Sequence, residues 1–220
     1  RLGSGDAAGQ AMTTGYLGTW ATGVGQLLAF DTTDWISRGA TNTANTVGRV
    51  DLSSDAEQIS YYTPRMAGFQ VGVSYIPSDQ EDVNNQRVLA AAGDRDGWSM
   101  GVNFNKKFGG AKVGIAAGYA TEDETTANRS DREVWGVGAR VDFSGFRIAM
   151  SWVDRQEQHS TLTNVTNAGG QGQETFEIGG RYSFGPNAVS IAHLSSESQA
   201  SQASGRNGDE AIVTSVAYRR

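Results

Sequence analysis

The sequence predicts an all-β fold, a transmembrane antiparallel up-and-down β-barrel, and three observations predict it. From Glu57 onward, apolar and polar residues alternate with period 2, the mark of strands with two unlike faces. The gaps between these runs are short and long by turns, the layout of hairpins with tight turns at one end and long loops at the other. One parity is apolar with aromatic residues at its ends, while the other is small, polar and partly charged. Composition removes the competing classes. With 29 Gly, 3 Pro and no Cys in 220 residues, the chain is neither collagen nor a disulfide scaffold. Its 5 Trp, 7 Tyr and 8 Phe are spread along the whole length, which argues against disorder. A net charge of −6 argues against nucleic acid as a partner. The longest apolar-and-small run, Val113 to Ala120, is far short of the roughly 20 residues a spanning helix needs.

Residues 1–56 break the rhythm. Gly3 to Thr46 is rich in glycine and small residues, carries a modest apolar patch (Tyr16–Leu17, Trp20, Leu27–Phe30) and shows no strand alternation. A long insertion in a compact domain is usually functional, and inside a barrel it narrows the lumen. Its Asp6, Asp31 and Asp34 are then placed to face bases on the wall, since fixed charge at a narrow point is how pores select ions. The alternative is an external loop or a poorly ordered end.

Residues 57–220 supply nine candidate strands: 57–64, 69–76, 97–107, 111–121, 132–143, 146–154, 174–184, 187–195 and 209–219. Arg65–Gly68, Phe108–Gly110, Ser144–Gly145 and Gly185–Pro186 provide the short turns. Pro77–Asp96, Glu122–Asp131, Arg155–Gln173 and Ser196–Gly208 are long and polar. A representative strand, 132–143, sets Trp135, Val137, Ala139, Val141 and Phe143 against Gly136, Gly138, Arg140 and Asp142. The charged residues that share the apolar parity, Lys106, Glu133, Asp154 and Glu174, all lie at strand ends. Strand 187–195 leaves open whether Val189, Ile191 and His193 or Ala192 and Leu194 face outward, and a flatter strand there suits a subunit interface.

The aromatics favour lipid over a packed core. Phe69, Phe104, Phe143, Phe146, Tyr182 and Phe184 lie near short turns, and Tyr75, Trp98, Tyr119, Trp135, Trp152 and Phe176 near long loops. Two girdles follow, because amphipathic rings prefer the headgroup zones. The opposite parity holds Gln70, Ser74, Asn103, Asn105, Lys107, Lys112, Arg140, Asp142, Arg147, Glu177 and Arg181, which a water-filled lumen tolerates and a dry core does not. Lys112, Arg140, Arg147 and Arg181 are the expected basic side of the pore.

Ile59 to Tyr75, with its Tyr-Thr-Pro segment, Ala67-Gly-Phe69 and an alternating strand closing on Tyr75, resembles the strand–turn–strand after the constriction loop of Gram-negative trimeric porins, the alphaproteobacterial ones in particular. That resemblance implies a 16-stranded homotrimeric barrel in the outer membrane of a Gram-negative bacterium, in contact with lipid and lipopolysaccharide, passing small hydrophilic solutes and ions by diffusion. Arg1-Leu-Gly matches the strand end that enters the constriction loop. Nine strands cannot close this architecture, and Ala217-Tyr-Arg-Arg220 lacks the family's terminal aromatic. The expectation is an internal portion of a longer barrel, its nine strands being the sixth to fourteenth.

Catalytic readings find little. His159 and His193 stand alone, and no Gly-x-Ser-x-Gly elbow or phosphate loop is present. The protein is not expected to be an enzyme, to take a cofactor or to hold a resident metal. The acidic loops offer hard oxygen ligands, with Asp94 and Asp96 the weak candidates for a divalent cation, but Asp94-Arg-Asp96-Gly lacks the remaining ligands of a calcium loop. Solvated loop charge is the preferred reading. A rim-active barrel enzyme and an adhesin or structural anchor are the alternatives. No catalytic cluster supports the first, and polar loops disfavour the second.

Overall fold

A computed structural model describes residues 1–17, 50, 52, 56–78, 94–124, 131–156, 172–198 and 210–220. One antiparallel sheet dominates it. Its strands are β1 (Leu2–Gly3), β2 (Gln58–Tyr62), β3 (Phe69–Ser78), β4 (Asp94–Phe108), β5 (Ala111–Glu124), β6 (Arg132–Phe143), β7 (Phe146–Gln156), β8 (Gln173–Phe184), β9 (Asn187–Ser198) and β10 (Glu210–Arg219). Each pairs with its neighbours in sequence order, the up-and-down meander that the gap rhythm predicts. Among the described residues β1 pairs only with β2 and β10 only with β9, so the described sheet is open. The nine predicted runs correspond to β2–β10, several of them extended by a few residues toward the long loops.

The tight turns follow from their residues. Ser144 and Gly145 both take positive φ, 46° and 85°, as a two-residue hairpin matching the twist of its strands requires. Glycine reaches that region without strain, and Ser144 is one of only three non-glycine residues with positive φ among the described residues.

The described part of the first 56 residues adds a helix to a segment in which the sequence shows no strand alternation. Besides β1, it forms a short helix, α1 (Ala8–Thr13). Six residues cannot hold a helix alone in water, and Ala7 offers no side-chain cap. The wall of the sheet holds it instead. That is why no sequence signal announced it.

The two faces differ as the parity predicts. Val71, Met100, Ile115, Val137, Ile148, Met150 and Ile178 lie exposed on one face, with no layer of the described residues packed over them. A soluble protein rarely leaves an apolar surface of this extent in water, whereas lipid requires one. The ambiguous β9 resolves the same way: Ile191 is exposed and Leu194 is buried on the inner face. His193 points outward with its Nδ1 2.9 Å from Thr214 Oγ1. Met150, in the middle of the β7 stripe, therefore makes a direct test. Met150→Arg should prevent most of the protein from reaching the heat-modifiable folded form on a gel, since a charge near the bilayer midplane costs about 2–4 kcal/mol. Full recovery of that form would mean that this face does not meet lipid.

Candidate functional site

The inner face is where the chain brings its polar groups together. The segment 7–17 lies across it and is hydrogen-bonded to three of its strands, β3, β4 and β6. The Ala8 amide donates to Ser74 Oγ at 2.9 Å on β3, and the Gly9 amide to Ser99 Oγ at 2.8 Å on β4. Asn103, also on β4, donates its side-chain amide to the Met12 carbonyl at 3.0 Å. Arg140 on β6 donates from Nη1 to the Gly15 carbonyl at 2.8 Å and lays its guanidinium 4.6 Å from the centre of the Tyr16 ring. Each neutral bond is worth about 0.5–1.5 kcal/mol net. Together they fix a piece of backbone that has little intrinsic preference to stay put.

Glycine makes the seat. Gly72, Gly101, Gly118 and Gly136 are direct cross-strand partners on β3 to β6, forming a bare track under α1 and Leu17. A Cβ on Gly101 would stand 2.6 Å from Met12 Cβ, and one on Gly118 2.8 Å from Thr13 Cγ2. At Gly138 it would stand 2.1 Å from the Tyr16 carbonyl oxygen. Gly9 completes the fit from the helix side, its own Cβ position lying 2.7 Å from Ser99 Oγ. Leu17, Val50, Leu52, Ala120, Val134 and Val153 bury one another beyond the track. The inner face is therefore not uniformly wet: Ser74, Asn103 and Glu177, all predicted to meet water, are buried. Near the long loops the buried Glu122 carboxylate meets Arg132 at 3.2 Å.

Toward the short turns the same face is basic, and the described residues leave it uncovered. Lys107, Lys112, Asp142, Arg147 and Arg181 are successive direct partners across β4 to β8. Arg140 stands on the neighbouring line, opposite Gly114, which is opposite Asn105. Arg147 donates from Nε to Asp142 Oδ1 at 2.6 Å, so the line's one carboxylate is already partnered. The four bases expected from sequence thus lie together on adjacent strands. Lys107 joins them through its register with Lys112, which parity alone cannot give.

The predicted acidic side is only partly in view. Asp6 is exposed, and its neighbours are tied to the far end of the strands: the Gly5 carbonyl accepts from Gln58 and the Ala8 amide reaches Ser74. That position lies several ladder rungs from the base line, so Asp6 does not meet those bases. Asp31 and Asp34 lie outside the described residues, as does His159. Asp96, a weak metal candidate, accepts a hydrogen bond from the Tyr75 hydroxyl. Asp94 opens β4. The girdle residues meet across strands. Phe69 and Phe104 centre 4.6 Å apart, Phe146 and Tyr182 4.3 Å, Tyr75 and Trp98 5.0 Å, and Trp135 and Trp152 4.1 Å. Phe143 opposes Phe146, Tyr119 opposes Trp135, Trp152 opposes Phe176, and Phe184 follows Tyr182.

An antiparallel meander, apolar outside and polar inside, with a segment pinned across its inner face, is the wall of a transmembrane β-barrel. Residues 1–219 match the Gram-negative porin family, and the chain belongs to it. Its place is the outer membrane of a Gram-negative bacterium. Among solved structures it is similar to an anion-selective porin from Comamonas acidovorans, with a TM-score of 0.62 at 18% identity over 99% of this chain and 57% of that one. It is also 33% identical over 94 residues to an uncharacterized protein of Rickettsia conorii, covering 40% of this chain and 19% of that protein. The chain therefore spans little more than half of the first relative and about a fifth of the second.

Proposed function

We propose that this chain forms the wall and constriction of a water-filled channel for passive diffusion of small hydrophilic solutes and ions, assembled as a homotrimer among lipid and lipopolysaccharide. The observation that carries this reading is the segment 7–17 held against the wall by Ser74, Ser99, Asn103 and Arg140 beside an open basic strip. A plug with no transport role has no need of an uncovered charged path next to it. Lys112, Arg140, Arg147 and Arg181 form the basic side of the path, with Lys107 beside them. Barrel strands are tilted by about 35–45°, so bases that are neighbours across strands are staggered along the pore axis. The protein makes and breaks no bonds; it has no cofactor or catalytic group in this reading, and the acidic loop ends carry solvated charge.

Planar-bilayer recording of the natively extracted protein, with the reversal potential taken in a salt gradient, is the test. Stepwise openings that close in groups of three under voltage are expected, with a reversal potential on the anion side. A protein that inserts and stays silent in every salt would overturn the channel reading and leave the anchor or rim-enzyme alternatives.

A further inference from the structure

The base line sets like charges against one another. Lys107 is directly opposite Lys112, and Arg147 directly opposite Arg181. Like charges facing one another across strands destabilise a sheet. Asp142 relieves Arg147, which it meets at 2.6 Å. Among the described residues neither lysine meets a carboxylate.

A pocket of about 200 Å³ opens at this point, lined in part by Asn105, Lys107, Lys112, Gly114, Arg140 and Asp142. Arg140 is held on two sides, by the Gly15 carbonyl and by the Tyr16 ring. A guanidinium has five N–H donors, and one hydrogen bond to Gly15 leaves the others to be satisfied. Two ammonium groups and a pre-oriented planar fork around a small pocket suit one chemistry, a compact anion with oxygen donors. Asp142 does not spoil it, because Arg147 neutralises that carboxylate.

We propose that this pocket is an anion seat, taking a small dianion of the phosphate or dicarboxylate class between Lys107 and Lys112 and beside Arg140. The ion is held there, not merely attracted in passing. If the channel reading above holds, passage of such ions saturates with concentration and they compete with chloride. The seat itself does not depend on that reading.

Calorimetric titration of the detergent-purified protein with inorganic phosphate at low ionic strength tests the seat without any current. Saturable binding is expected, and Lys107→Gln with Lys112→Gln should weaken it by roughly tenfold or more, since both charged donors to the ion are lost. Lys107→Arg with Lys112→Arg keeps both charges and should retain most of the affinity. Folding of each variant is checked by heat-modifiable mobility. Equal binding by wild type and the Gln pair, or no binding by either, would overturn the proposal. A chain that conducts chloride yet binds no phosphate loses the seat and keeps the channel; one that binds phosphate and conducts nothing keeps the seat and loses the channel.

Discussion

Gly138→Ala should lower single-channel conductance while the sheet stays folded. A Cβ at this position would sit 2.1 Å from the Tyr16 carbonyl oxygen, well inside contact distance, and the clash is with backbone rather than a flexible side-chain tip. The wall cannot yield, because Gly138 is locked between β5 and β7, opposite Ala116 and Ser151. The segment must move off the wall, and the free direction is into the lumen. Relief of such overpacking costs about 1–3 kcal/mol, more than one of the neutral pins supplies. The expected record is a smaller and noisier open current, a lower size cut-off in liposome swelling and an unchanged folded band. Gly180→Ala is the control, since a Cβ there meets nothing nearer than 3.8 Å. Conductance of the Gly138 variant equal to that of the control would mean that the segment does not set the channel's width.

How much of this was legible in the sequence depends on the range of the interaction involved. Strand existence and facing are period-2 properties of single strands, so Trp135 and Gly136 declare opposite faces from sequence alone. Register is not such a property. That Gly72, Gly101, Gly118 and Gly136 align into one track, or that Lys107 opposes Lys112, depends on turn geometry fixing each hairpin in turn. The glycines were readable as inward positions but not as a seat, because the helix they accept is stabilised only by that seat. For the same reason parity turns Ser74, Ser99 and Asn103 inward without marking them as anchors. Each is an ordinary small polar residue until the backbone it binds is present. Glu177 shows the opposite error. Its parity predicts a lumen side chain and therefore a wet one, yet at 4% exposure it is covered.

The Arg140 series should separate charge from tether. Arg140→Glu replaces a cation of the basic strip by an anion and removes both the bond to the Gly15 carbonyl and the cation–π contact with Tyr16. It should move the reversal potential toward cations and raise current noise together. Arg140→Lys keeps the charge but loses the planar fork, and a lysine ammonium cannot stack on Tyr16 while reaching Gly15 as a guanidinium does. Its reversal potential should stay near that of wild type while the noise rises toward that of the Glu variant. Arg181→Glu makes the complementary change, reversing a charge on the same line and leaving the Arg140 contacts with Gly15 and Tyr16 in place. There the reversal potential should shift with the noise unchanged. Stability should change little in all three, because a water-filled lumen screens these charges within about 10 Å at moderate salt. If Arg140→Lys proves as quiet as wild type, Arg140 acts on passing ions alone, and Ser74, Ser99 and Asn103 suffice to hold the segment to the wall.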